Sequence, residues 1–233
     1  MVVGGGAFGH ETSGGPLEDL WLTLARAVRG NDRPRVCLIP TATGDDESVI
    51  DHFCDVFASA AEVSHLGLFH RTVEDVGDFI AHQDAIYVSG GNTASLLAVW
   101  RAHGVDDALR AAHEAGVLLS GRSAGGLCWF ESGTTDSFGP RLRPLVGGLG
   151  LIPGSHCPHY DGEPERRPTY HSLVASGDLP PGLAVDDFAA AIFDGPELVD
   201  VVAAEPGRTA YRVERRDGRA LETSLAARVL RDP

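Results

Sequence analysis

No apolar run in this 233-residue chain approaches the roughly 18 residues that a membrane span needs. Met1 leads directly into Val2-Val3-Gly4-Gly5-Gly6, which is too short for a secretory leader and has no basic flank. A soluble, cytoplasmic protein is the expectation. Cysteine is sparse: Cys37, Cys54, Cys128 and Cys157 stand at wide, irregular spacings with no CxxC, the pattern of reduced thiols and not of a disulfide framework or zinc site. Positive charge is also short, with 19 basic against 33 acidic residues and a net charge of −14. That surface repels phosphates and anionic lipid, so no nucleic-acid or membrane partner is expected. Repeats, low-complexity tracts and composition breaks are missing too, and the length suits one α/β domain spanning residues 1–233.

Short apolar runs alternate with longer stretches of helical period. After a first strand at Val2-Val3, the segments Arg35 to Pro40, Glu62 to Leu66, Ala85 to Ser89 and Val117 to Ser120 read as strands. Between them, Leu17 to Val28, Asp46 to Ala60, Asn92 to Ala102 and Val105 to Ala115 carry apolar residues at three- and four-residue intervals. Such βαβ alternation predicts a mostly parallel sheet covered on both faces. Ala184 to Phe193, Leu198 to Ala204 and Thr209 to Val213 read as further strands, expected as antiparallel additions at one edge. The segment from about Ser132 to Arg143 reads as a loop.

The chemistry concentrates at Gly121-Arg122-Ser123-Ala124-Gly125, a GxSxG pattern between a buried strand and an apolar helix start running from Ala124 to Phe130. A strand that turns sharply into a helix exposes its turn residue in a strained conformation, and glycines on either side prevent clashes. Ser123 is thereby the candidate nucleophile, and the Ala124 N–H a candidate oxyanion donor. Ser89-Gly90-Gly91-Asn92-Thr93 follows a neighbouring strand and offers Gly91 as the second donor, or else an ordinary helix cap. Gly4-Gly5-Gly6-Ala7-Phe8-Gly9 lacks both GxGxxG register and a P-loop lysine, so it reads as a tight strand exit and implies no nucleotide. His52, His82, His103 and His113 fall on polar helix positions and read as surface residues. His156 and His159 instead end an apolar run from Leu149 to Tyr160, at the edge where Ser123 emerges; the intervening Pro158 argues against a metal pair. A histidine base needs a carboxylate to orient it, and both Asp136 and Asp187 are candidates.

Taken in order, Ser89-Gly90-Gly91-Asn92-Thr93, Gly121-Arg122-Ser123-Ala124-Gly125, Pro158-His159-Tyr160 and Val185-Asp186-Asp187 resemble the peptidase E (aspartyl dipeptidase) and cyanophycinase family of serine peptidases. The resemblance reaches from the first strand to about residue 205. It implies a three-layer α/β sandwich related to class I glutamine amidotransferases. It implies Ser123 as nucleophile, His159 as base and Asp187 as acid, where the family usually has glutamate; the shorter aspartate leaves Asp136 in contention. Gly91 and Ala124 would form the oxyanion hole, with Asn92 a substrate contact. Arg166, in Glu163-Pro164-Glu165-Arg166-Arg167-Pro168, would read an acidic substrate side chain. The expected activity is hydrolysis of short peptides, extending to dipeptides with N-terminal Asp, by a monomer or homodimer without metal or organic cofactor. A binding or regulatory module that keeps the fold without turnover, and a peptidase of different specificity, are the alternatives. Transfer chemistry of the amidotransferase kind is disfavoured because a serine stands where those enzymes carry a thiol.

Overall fold

A computed structural model describes residues 1–6 and 15–230. The first half runs β1 (Val2–Val3), α1 (Pro16–Arg29), β2 (Arg35–Ile39), α2 (Glu47–Phe57), β3 (Glu62–His65), α3 (Val76–Ala81), β4 (Ala85–Val88), α4 (Thr93–His103), α5 (Val105–Glu114) and β5 (Leu118–Arg122). There follow α6 (Ala124–Leu127), β6 (Phe130–Thr135), β7 (Arg143–Val146), β8 (Ile152–Cys157), α7 (Arg166–Ser176) and β9 (Gly182–Val185). The chain closes with β10 (Ala189–Asp194), β11 (Glu197–Ala203), β12 (Ala210–Arg216), β13 (Arg219–Ser224) and β14 (Arg228–Val229).

An eight-stranded sheet has the order β14-β11-β10-β1-β5-β4-β2-β3. Strands β1, β5, β4, β2 and β3 are parallel, and β10 and β11 are added antiparallel, as the alternation of elements predicts. On one face α1 and α2 pack Trp21, Phe53 and Phe57 over Leu38 and Tyr87; on the other, α4, α5 and α6 pack Leu96, Trp100, Leu109 and Leu127 over Ile39, Ile86 and Val88. The result is the expected three-layer α/β sandwich. Trp21 meets Phe57 and Tyr87 edge-on at centroid distances of 5.0 and 5.8 Å. Each such pair adds about 0.5–1.5 kcal/mol to the area buried. The Trp21 indole N–H also donates to Ser120 Oγ at 2.6 Å, tying α1 to the strand that leads to Ser123.

A second sheet, with the order β13-β12-β9-β8-β6-β7, is not legible in the element pattern and alters three expectations. The helix read from Ala124 to Phe130 stops at Leu127, because Phe130 is drawn into β6 opposite Ile152. The loop read from Ser132 to Arg143 is shorter than expected: Ser132 to Thr135 pair with Val146 to Arg143, leaving residues 136–142 as the connection. The single strand read from Ala184 to Phe193 is two strands in different sheets. The chain breaks at Asp186-Asp187-Phe188, where Phe188 has φ 58°, and passes from β9 in the second sheet to β10 beside β1 in the first. That crossing puts Asp187 at the junction of the two sheets. Of the segment Gly4 to Gly9, residues 7–9 lie outside the described residues.

Candidate active site

Ser123 directly follows β5, at the carboxyl edge where open parallel sheets collect ligands. Its backbone has φ 50° and ψ −115°, a conformation that costs a non-glycine residue on the order of 1–3 kcal/mol. The turn is held from both sides: the Ser123 N–H donates to Val3 O at 3.1 Å, and the Ser123 carbonyl accepts from Gly126 and Leu127 N–H at 3.0 and 2.8 Å. The glycines of GxSxG are there for close packing. A Cβ on Gly125 would lie 2.2 Å from Val88 O of β4, and one on Gly121 would lie 2.3 Å from Gly125 O.

On the β1 side of this turn sit His159 and Asp187. His159 Nδ1 is 2.7 Å from Asp187 Oδ1, with both side chains about one-fifth exposed. A carboxylate only accepts, so the facing Nδ1 carries a proton, and in the neutral ring this leaves Nε2 as the nitrogen with a free lone pair. Gly5 is the floor of this pair: its Cβ position lies 2.1 Å from Asp187 Oδ1 and 2.4 Å from His159 Nδ1. Gly5 is two residues beyond the Val3 carbonyl that holds Ser123, which brings the pair and the serine to one edge of two adjacent strands. The backbone fixes Asp187 further, since its N–H donates to Asp161 Oδ1 at 2.8 Å and the next N–H, of Phe188, donates to Gly5 O at 2.9 Å.

On the β4 side lies the loop Ser89 to Thr93. The Cβ position of Gly90 is 3.5 Å from Ser123 Cβ, and Gly91 adopts φ 135° with its Cβ position 2.2 Å from Ala42 O. The structure therefore sets a strained serine between a histidine–aspartate pair and a glycine loop.

The family model for Peptidase family S51 matches residues 2–200. The chain belongs to peptidase family S51. It is 41% identical over 231 residues, covering 99% of this chain and 98% of the other, to the protein named Uncharacterized peptidase YgaJ of Bacillus subtilis (strain 168). Among solved structures, a peptidase from an acI-B1 Actinobacterium superposes with a TM-score of 0.71 at 17% identity, covering 97% of this chain and 93% of that one. The S51 chain is accordingly a peptidase with the three-layer fold expected of it.

The other expected site residues of this S51 chain are placed as follows. Ala124 opens α6 and is buried. Asn92 caps α4, its Oδ1 accepting from Ser95 N–H at 2.8 Å while its Nδ2 donates to Ser137 O at 3.1 Å, so its side chain already serves the helix and the β6–β7 connection. Asp136 is exposed in that connection, and the carboxylate on His159 is that of Asp187. Arg166 is not a free surface cation. Its side chain is 4% exposed, Nε donates to Glu163 Oε2 at 2.7 Å, and Nη1 donates to Thr134 O at 3.2 Å. Among the described residues no three His, Cys, Asp or Glu side chains converge as metal ligands, and no helix is long and apolar enough to cross a membrane.

Glu222 is a contributor absent from the sequence reading, and two histidines differ from it. Glu222 of β13 accepts from Tyr160 Oη at 2.5 Å and from Arg167 Nε at 3.0 Å, and lies 2.9 Å from His171 Nε2. Burial pushes the Glu222 carboxyl up, but these donors together hold it below its usual range. Burial and the same carboxylate drive the Tyr160 phenol well above its own. Tyr160 directly follows His159, whose φ is 53°, so Glu222 anchors the strained segment that carries the histidine. His52, read as a surface residue, has Nε2 buried with no hydrogen-bond partner among the described residues, and so has Ser89 Oγ. His156, the competitor of His159, is fully buried, stacked on Phe130 at 4.8 Å, with Nδ1 donating to Leu183 O at 3.0 Å; burial lowers its pKa to about 3. No local signal marks Glu222, which sits in a polar hairpin 62 residues from Tyr160.

Proposed function

We propose that the protein is a serine peptidase that cleaves short peptides through an acyl-enzyme. The observation that carries this reading is the 2.7 Å contact of His159 Nδ1 with Asp187 Oδ1, seated on Gly5 beside the strained Ser123. In the first half-reaction the Ser123 hydroxyl proton passes to His159 Nε2 as Oγ bonds to the scissile carbonyl carbon. The carbonyl oxygen becomes an oxyanion that accepts from the Gly91 and Ala124 N–H groups. Collapse breaks the C–N bond, and the imidazolium gives its proton to the leaving amine. Water then attacks the ester, its proton going to His159 and from there back to Ser123 Oγ. Asp187 holds the tautomer and stabilises the imidazolium throughout.

Preference for N-terminal aspartate would require Arg166 to exchange its contact with Glu163 for the substrate's carboxylate. Glu163 is about half exposed and able to move away, whereas the Thr134 carbonyl bond can persist. Treatment with a serine-reactive phosphonate, followed by peptide mapping, tests the central reading. Wild type should be labelled on Ser123 and should hydrolyse dipeptides; Ser123→Ala should fold normally and lose about 10³-fold or more in kcat. A folded wild type that is neither labelled nor active would be a silent module on this fold.

A further inference from the structure

The chain crosses between the two sheets twice near the place where His159 and Asp187 meet. Residues 186–188 carry it from β9 to β10, and residues 204–209 carry it back from β11 to β12. The two crossings are laced together: the Asp186 N–H donates to Thr209 O and the Thr209 N–H to Asp186 Oδ2, each at 3.0 Å. A third segment, which follows β8 and carries His159, is tied to the end of β9 by the Tyr160 N–H, donating to Val185 O at 3.2 Å.

Asp161 joins all three. It stands two residues beyond His159, its Oδ1 accepts the Asp187 N–H at 2.8 Å, and its Oδ2 pairs with Arg208 Nη1 in the second crossing. Arg208 is held in turn by Glu205, whose Oε2 is 3.2 Å from its Nε. An aspartate in a turn ordinarily bonds a backbone N–H a few residues along the chain. The N–H on Asp161 is instead 26 residues away, and it belongs to the proposed acid. The contacts close a ring: the His159 ring meets the Asp187 carboxylate at 2.7 Å, the Asp187 N–H meets Asp161, and the chain from Asp161 leads back to His159. Rotation of the acid's side chain is limited separately. The Cβ positions of Gly5 and Gly162 lie 2.1 Å from Asp187 Oδ1 and 2.0 Å from Oδ2, so backbone flanks both oxygens. The backbone of Asp187 itself is fixed by the Phe188 N–H on Gly5 O at one side and by Asp161 at the other. Arg208 has an electrostatic part as well: a second carboxylate beside Asp187 repels its charge, and the guanidinium offsets that repulsion.

We propose that Asp161, held by Arg208, is the positioning residue of the His159–Asp187 pair, setting the backbone of the acid against the segment that bears the base. The proposal rests on the serine-peptidase reading. The test compares Asp161→Ala, Asp161→Asn and Arg208→Gln with wild type. Three readouts are taken: kcat and KM on the best-cleaved member of a dipeptide panel, the rate of phosphonate labelling of Ser123, and the low-field proton resonance of the His159 Nδ1–H, assigned by its loss in His159→Gln. Alanine removes the acceptor, and because a misplacement of about 1 Å costs about 10²-fold, kcat and labelling rate should fall together by about 10- to 10²-fold with KM within about twofold. The resonance should broaden or move upfield, since the proton is no longer held squarely between ring and carboxylate. Asparagine keeps an acceptor oxygen for the Asp187 N–H and loses only the ion pair. It should keep the resonance and lower kcat by about two- to fivefold, and Arg208→Gln, which breaks the same ion pair from its more exposed end, should match it. A folded Asp161→Ala enzyme with wild-type kcat and labelling rate, or an asparagine variant as impaired as the alanine one, overturns the proposal and leaves the serine reading intact. Should Asp161→Ala not fold, Arg208→Gln carries the test: a lowered kcat at unchanged KM supports the positioning role, and a wild-type kcat overturns it. An unlabelled, inactive wild type overturns the serine reading and the positioning role with it.

Discussion

Gly5→Ala probes the site without altering any side chain of the proposed triad. The new methyl would lie 2.1 Å from Asp187 Oδ1 and 2.4 Å from His159 Nδ1 and Cε1, whereas ordinary carbon contacts begin near 3.4 Å. The pair must move by about 1 Å. Both groups are ends of side chains and about one-fifth exposed, so they can yield by rotating, and the stability cost should stay near the lower end of overpacking, about 1–2 kcal/mol. Activity is less forgiving. A misplacement of about 1 Å in a reacting constellation costs about 10²-fold, so kcat should fall by that factor while KM changes little, since the nearest neighbours of the new methyl are the Asp187 and His159 side chains. The assay is steady-state hydrolysis of the best dipeptide, with thermal melting to show that the variant is folded and phosphonate labelling to report serine reactivity independently of turnover. Both kcat and labelling rate should drop together. A folded Gly5→Ala enzyme that keeps kcat within about threefold of wild type would refute the argument that the His159–Asp187 pair, held on this floor, drives the chemistry.

Asp187→Asn should cost roughly 10³- to 10⁴-fold in kcat by removing the acceptor that fixes the imidazole tautomer, and Asp136→Asn should change it by less than about twofold; the opposite ranking would exchange the two aspartates. Glu222→Gln should lower stability by about 1–3 kcal/mol in urea melts, because the buried Tyr160 phenol and Arg167 lose a charged acceptor, and should lower kcat more than it raises KM. An unchanged melting curve would show that Glu222 anchors nothing. His156 stays neutral in the fold down to about pH 3, whereas the unfolded chain takes up its proton near pH 6.5, so stability falls on acidification through the window between these values. About 2 kcal/mol should be lost between pH 6.5 and 5, and comparing urea midpoints of wild type and His156→Gln across that range checks it, since equal pH slopes would exclude His156 as the cause.

Sequence alone determined the features governed by neighbouring residues. The GxSxG turn is legible because the strained serine and the glycines that flank it are neighbours in the chain, although Gly125 itself packs on Val88 of β4, and the parallel sheet is legible because helical and strand periods alternate along the chain. Only the tertiary structure decided the rest, because it depends on groups that chain distance hides. The carboxylate on His159 belongs to a residue 28 positions away, chosen by where the chain crosses from one sheet to the other at Asp186-Asp187-Phe188. Arg166 is charged in sequence but buried in space, because α7 packs it over Thr134 of β6. His52 lies on a polar helix position by period and yet its Nε2 is buried once α2 is laid on the sheet. Helical and strand periods report which face of an element is buried; they carry no information on which distant side chain that face will meet, and the proposed catalytic pair is made of such a meeting.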